Sequence, residues 1–60
     1  MDKFEICEAA VQWTDATVWF LGKEQAMHLT LHIANQARER DDKLTEAKAT
    51  IALALIQLSK

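Results

Sequence analysis

Apolar residues in the second half of the chain keep one helical register from Leu29 to Leu58. They recur every three or four residues, the spacing that places side chains on one face of an α-helix. The stripe consists of Leu29, Ile33, Ala37, Leu44, Ala47, Ile51, Leu55 and Leu58. Only the charged run around Arg40 interrupts it. The pattern therefore predicts either one long helix over residues 24–58 or two helices separated by a turn at Asp41-Asp42.

The first half of the chain predicts one helix over about residues 3–21. Asp2 can cap this helix, with Glu5 three residues later as in a capping box. Its apolar residues cover more than half of the circumference, whereas a helix facing one neighbour needs a stripe of only about 100°. They form two adjoining stripes: Phe4, Cys7, Val11, Thr14, Val18 and Leu21, then Ile6, Ala10, Trp13, Thr17 and Phe20. Gly22 ends the helix because glycine adopts the left-handed conformation without strain.

The chain has no proline and one glycine, a composition that favours an all-α fold. Our preferred arrangement is an antiparallel helical hairpin with helices at about 3–21 and 24–58. The second helix would be about 53 Å long, and the first would cover only half of it. A homodimer would then form a helical bundle that buries the C-terminal half. The alternative is a monomeric three-helix bundle in which an aspartate at Asp41-Asp42 caps the third helix.

Composition limits the class of protein. Sixty residues form a single small helical domain over 1–60, and a domain of this size is only marginally stable alone. One cysteine permits no disulfide within the chain and fits a reducing compartment. The N-terminus does not resemble a signal peptide, and the longest apolar run is too short to span a bilayer. We therefore expect a cytoplasmic protein that does not contact membranes.

Several large apolar residues fall outside a simple core stripe and are candidates for a partner interface. Trp19 lies on the otherwise polar side of the first helix, and tryptophan is enriched in interaction hot spots. The other candidates are Trp13, Phe20, Leu53 and Ile56. Cys7 lies in an apolar stripe and is predicted to be a buried small hydrophobic residue.

Two other classes of site are open. His28 and His32 lie one helical turn apart and could bind a divalent metal with Glu24, although the polar face of an amphipathic helix explains them equally well. A basic patch of Arg38, Arg40, Lys43 and Lys48 could indicate a nucleic-acid-associated regulator, but four carboxylates are interleaved with it. The net charge of −2 gives no electrostatic footprint for nucleic acid. No nucleophile, base and orienting group stand at a defined spacing, so we expect neither an enzyme nor a cofactor.

In size and style the chain resembles the short helical accessory proteins encoded by the early regions of lambdoid bacteriophages. The likeness lies in a 60-residue helical chain that begins Met-Asp-Lys-Phe-Glu-Ile and has almost no Gly or Pro. The resemblance implies a modulator that binds a host or phage regulator in the host cytoplasm. Together with the excess apolar surface, it leads us to expect a non-enzymatic protein that acts by protein–protein interaction, with itself as the first partner.

Overall fold

The computed structural model describes residues 2–59 and forms three α-helices. Helix α1 spans Lys3–Leu21, α2 spans Lys23–Glu39 and α3 spans Lys43–Leu58. Residues 2–59 contain no strand, which confirms the all-α prediction. The Lys23 ammonium donates a 2.6 Å hydrogen bond to the carbonyl of Ser59. The start of α2 therefore meets the end of α3, so that α1 and α3 run parallel to each other and antiparallel to α2.

The predicted cap at Asp2 and the predicted end of α1 at Gly22 are confirmed, but Gly22 is not in the predicted left-handed helical conformation. The Asp2 carboxylate accepts a 2.8 Å hydrogen bond from the Glu5 backbone N–H, which satisfies one of the free donors of the first turn. Gly22 ends α1 with its N–H donating to the carbonyl of Val18 at 2.9 Å, and its own carbonyl accepts from Ala26 at 2.9 Å. Its φ of 83° and ψ of 164° lie in a region that is essentially restricted to glycine. Gly22 is therefore both the last capping residue of α1 and the first capping residue of α2.

Two aspartates have different roles in the turn between α2 and α3. Asp41 has a φ of 56°, the left-handed conformation that Asp tolerates better than most residues. The Asp42 N–H donates to the carbonyl of Ala37 at 2.8 Å and the Asp41 N–H to that of Arg38 at 3.2 Å, the pair of bonds that defines a Schellman motif. Asp42 then caps α3, because its carboxylate accepts from the Thr45 N–H at 3.2 Å and from the Thr45 hydroxyl at 2.7 Å. These bonds, led by that of the hydroxyl, lower the pKa of the Asp42 carboxyl.

The predicted continuous helix over 24–58 is therefore not present in this chain. The structure instead breaks the helix at Asp41-Asp42, where the alternative prediction put the turn. The two aspartates have only modest helix propensity, and both terminal motifs compensate for the lost helical hydrogen bonds. The longest dimension of the chain is 29 Å, whereas a helix of 35 residues would measure about 53 Å. Folding back lets α3 pack on both other helices.

The core of the bundle consists mainly of small side chains. Within residues 2–59 the largest side chains that are fully buried are Ile56 and Thr30. The other buried residues are Ala10, Thr14, Thr17, Ala26, Ala34, Ala37, Ala49 and Ala52. Alanine and threonine at the contacts allow helices to approach toward the short end of the usual 8–10 Å range of interaxial distances.

The apolar stripe was predicted to face the core. This prediction is confirmed for Ala37 of α2 and is wrong for α3. Leu44 and Leu58, predicted to face inward, are 41% and 79% exposed, and Ala54 is also exposed. The face of α3 that enters the core carries Ala49, Ala52 and Ile56 instead. Because α3 folds back on two helices at once, its small residues allow the closer packing. The prediction that Cys7 is buried is also wrong, since its thiol is exposed beside the core stripe of α1.

Candidate functional site

Two rows of large apolar residues run along α1 and α3. On α1 the row is Phe4, Val11 and Val18, and on α3 it is Leu44, Ile51 and Leu58. Residues seven apart lie nearly above one another on a helix, so each row follows its helix axis. Because α1 and α3 are parallel, the two rows run in the same direction, and Val11, Val18 and Leu58 line one groove. We call these six residues the α1–α3 face.

Much of this face is open to solvent. Phe4 is 86% exposed and Leu58 is 79% exposed, while Val11 and Leu44 are each more than two-fifths exposed. Val18 and Ile51 are half-buried. Exposed apolar area is unfavourable in water, and contiguous apolar patches are common at interaction sites.

Three residues of the two rows, Val11, Val18 and Leu58, line a groove between α1 and α3. The groove encloses about 560 Å³. Its lining comes only from α1, α3 and the residue after α3: Val11, Thr14, Asp15, Val18, Trp19, Leu55, Leu58 and Ser59. The side chains are mostly apolar, and Asp15 is the one charged residue among them. The groove therefore suits an apolar helical ridge more than a charged ligand.

Thr14 contributes an unusual polar group to this groove. The residue is only 7% exposed, and its hydroxyl has no hydrogen-bond partner in the structure. A buried hydroxyl without a partner costs about 1–3 kcal/mol. Sequence reasoning placed Thr14 in an apolar stripe but gave it no role, because periodicity does not show whether a hydroxyl finds a partner.

Trp19 and Phe20, both predicted interface residues, lie beside the groove at the end of α1. Trp19 is 80% exposed and Phe20 is 77% exposed. Their rings make an edge-to-face pair with centroids 5.0 Å apart and an interplanar angle of 86°. This geometry is favourable for aromatic pairs. It holds the indole of Trp19 next to the groove although the pair remains in solvent.

The other predicted interface residues have different environments. Trp13 is 39% exposed and its indole N–H donates to the Thr30 hydroxyl at 3.4 Å, so it belongs partly to the interior. Leu53 is half-buried. Ile56 is fully buried within its own chain, which removes it from any surface that a partner could contact. Ile56 is buried because the face of α3 that packs in the core carries Ala49, Ala52 and Ile56.

The remaining candidate residues lie on the surface as separate groups. His28, His32 and Glu24 are exposed on α2. Across residues 2–59 no group of three or more His, Cys, Asp or Glu side chains is arranged to hold a metal ion.

Two of the four basic residues of the α2–α3 region, Arg38 and Lys43, are paired with acidic ones. Arg38 lies 3.6 Å from Glu46, and Lys43 lies 3.6 Å from Asp41. Exposed pairs of this kind are typical of a solvated surface with mixed charge. This arrangement offers no continuous positive patch to a phosphate backbone.

No helix within residues 2–59 has both the length and the apolar character that crossing a membrane requires. Comparison of the chain with protein-family models, with curated proteins and with solved structures finds no match. The α1–α3 face is therefore interpreted from its own residues.

Proposed function

We propose that this chain is a non-enzymatic, protein-binding helical module, that the α1–α3 face is its binding surface, and that a second copy of the chain binds there. One observation carries the proposal: the largest apolar side chains lie outside a core built from alanine and threonine. Phe4, Trp19 and Leu58 are each about four-fifths exposed, whereas the buried set contains one large aliphatic side chain, Ile56.

The energetics favour a partner. Burying a large apolar side chain stabilises a fold by about 1.5–3 kcal/mol, and alanine contributes much less because it removes less apolar area from water. A domain of 60 residues has a stability of only about 3–9 kcal/mol even when its core is well filled. Covering the α1–α3 face would therefore add a substantial fraction of the total stability.

The available area fits a dimer of ordinary size. A fully buried aromatic residue removes about 150–250 Å² from water, so Phe4 and Trp19 together offer about 250–400 Å². A stable interface needs about 800 Å² from each partner. The exposed parts of Val11, Leu44 and Leu58 add to this area.

Charge favours a second copy of the same chain. Helix α1 carries three carboxylates and one lysine, whereas α3 carries two lysines and one glutamate. When two α1–α3 faces meet about a twofold axis parallel to the helices, α1 of each copy lies against α3 of the other. Lys43 pairs with Asp41 and Lys48 lines the other side of α3, so the complementarity is one of net helix charge and not of contacts at the face. The shared face itself is nearly free of charge, so like charges are not brought together at its centre.

The dimer expected from the sequence rested on a continuous second helix, which the structure does not contain. The continuous helix over 24–58 would have needed a second copy to cover its C-terminal half. In the structure α3 covers part of that surface by packing on α1 and α2, and Ile56 enters the core. The α1–α3 face carries part of the apolar surface that remains, and it supports self-association independently of the lost long helix.

The test is sedimentation equilibrium of the full chain from about 1 μM to about 1 mM, with a matched pair of variants. Val11→Lys places a charge in the centre of the groove at a residue that is 45% exposed. Leu31→Lys makes the same kind of change on α2 at a residue that is 47% exposed. We expect a dimer for the native chain and for Leu31→Lys. Val11→Lys should weaken the dimer by about a hundredfold, because it puts a long charged side chain into an apolar interface and that charge must leave water when the dimer forms.

Two further readouts make the result specific. Circular dichroism should show the same helical content in both variants, which separates lost association from lost folding. The tryptophan fluorescence of the Trp13→Phe variant, in which Trp19 is the one remaining tryptophan, should shift to shorter wavelength as the dimer forms, since the Trp19 indole leaves water. A native chain that remains monomeric at the highest concentration, or equal weakening by both substitutions, would overturn the proposal.

A further inference from the structure

A second cavity, independent of the α1–α3 face, opens among all three helices. It measures about 300 Å³, the lower end of the range for small-molecule sites. Its walls come from the first half of α1, the middle of α2 and the first half of α3. The space exists because Ala9, Ala10 and Ala49 stand where larger side chains would fill a bundle of this kind. Sequence periodicity alone gave no sign of it.

A few polar groups line this mainly apolar cavity. The Trp13 indole N–H makes only a long hydrogen bond, at 3.4 Å, to the hydroxyl of fully buried Thr30. The Thr45 hydroxyl donates to Asp42 and is already engaged. Lys48 is half-buried at the cavity, and no carboxylate of residues 2–59 forms an ion pair with it. The cavity thus combines an apolar body with one free cation and one weakly held N–H donor.

We propose that this cavity binds a small molecule with an apolar body and a single carboxylate group. The alanines and Ile33 contact the apolar body, and Lys48 binds the carboxylate. A lysine can reach a bound anion because its ammonium sits on a flexible four-carbon chain with three donors. The Trp13 N–H is placed to supply a second donor by exchanging its long bond to Thr30 for a shorter one.

The charges around the cavity favour an anion over a cation. Asp42 is the neighbouring carboxylate and attracts Lys48, but Asp42 is occupied by its two bonds to Thr45. Glu46 pairs with Arg38. An incoming carboxylate therefore meets an ammonium that has no partner in contact. A ligand of the opposite charge would have no free carboxylate to bind.

Phenylacetate is a suitable probe. Its ten non-hydrogen atoms match a cavity of about 300 Å³, and at about 0.3–0.4 kcal/mol per atom a compound of this size binds with a Kd of about 1–6 mM. Phenylacetamide has the same shape without the charge. NMR titration of the two indole N–H signals provides the measurement, because Trp13 lines the cavity and Trp19 does not. Phenylacetate should shift the Trp13 signal in a saturable way and leave that of Trp19 unchanged.

Variants separate the two parts of the proposal. Lys48→Met should weaken phenylacetate about tenfold and leave phenylacetamide unaffected, since only the charged contact is lost. Ala9→Leu should fill the cavity and abolish binding of both compounds. Ala16→Leu makes the same change seven residues further along α1, at an exposed site outside the cavity, and should bind as the native chain does.

The outcomes are distinct from those for dimerisation. Val11→Lys, expected to be monomeric, should still bind phenylacetate because Val11 does not line this cavity. The proposal is overturned if the Trp13 signal does not move at millimolar probe or if both indoles move together. Equal affinity for the acid and the amide, or unchanged binding in Ala9→Leu, would overturn it as well.

Discussion

Replacing Thr14 with valine should stabilise the folded chain, although it removes a polar group from a helix that already carries many apolar residues. Thr14 is 7% exposed and its hydroxyl has no hydrogen-bond partner. Valine has nearly the same shape and the same branching at Cβ, so the packing around the side chain should be preserved. The substitution therefore isolates the cost of one buried hydroxyl.

The magnitude follows from that cost. An unpaired buried hydroxyl destabilises a fold by about 1–3 kcal/mol, and Thr14→Val should recover about 1–2 kcal/mol of it. For a domain of this size, about 1 kcal/mol corresponds to about 4–8 °C in Tm. The gain is large relative to the total stability expected for 60 residues.

Thr30→Val provides a matched control with the opposite sign. Thr30 is fully buried, but its hydroxyl accepts the Trp13 indole N–H. The same chemical change there removes a hydrogen bond and should cost about 0.5–1 kcal/mol. Urea unfolding followed by circular dichroism measures both variants, at about 1 μM so that association contributes little. A Thr14→Val variant that is less stable than the native chain would refute the assignment of an unpaired hydroxyl at this position.

Three further predictions concern the turns and the surface. Gly22→Ala should destabilise the chain by about 1–3 kcal/mol through backbone strain alone, since a Cβ there meets no atom within 4 Å; a synthetic chain with D-alanine, measured by the same unfolding assay, should show no such loss. The stabilising effect of the ionised Asp42 cap should be complete above pH 3.8 and fall as the pH drops below that value, because folding lowers the Asp42 pKa; the stability difference from Asp42→Asn, followed across pH 2–6, checks this sign. Cys7 should react with a thiol reagent in the folded chain at nearly the rate of the unfolded chain, and strong protection would contradict its exposure.

The sequence was most informative at the helix ends. Asp2, Gly22 and the Asp41-Asp42 pair were each recognisable as terminal signals, and the structure uses all of them. Local hydrogen bonding determines these positions, so the residues involved are close in sequence. The choice between one helix and two was harder, because it depends on what α3 gains by packing on α1 and α2. That gain is a tertiary effect, so the terminal signal at Asp41-Asp42 could not by itself decide between one helix and two.

The orientation of α3 was predicted less well because this helix carries two apolar stripes. One consists of large residues and includes Leu44, Ile51 and Leu58; the other consists of smaller residues with Ala49, Ala52 and Ile56. Hydrophobic periodicity favours the first stripe as the core face, since leucine is more hydrophobic than alanine. Packing in the folded chain selects the second, because alanine lets α3 approach two helices closely.

Two apolar stripes on one helix imply two sets of neighbours, and the structure accounts for only one of them. The small stripe of α3 contacts the rest of its own chain. The large stripe lies beside the row of Phe4, Val11 and Val18 on α1 and remains partly in water. The periodicity predicted that these large side chains would form the core. Their position outside a core of alanine and threonine is the physical reason to expect that a second chain covers them, and the pair Val11→Lys and Leu31→Lys tests that expectation directly.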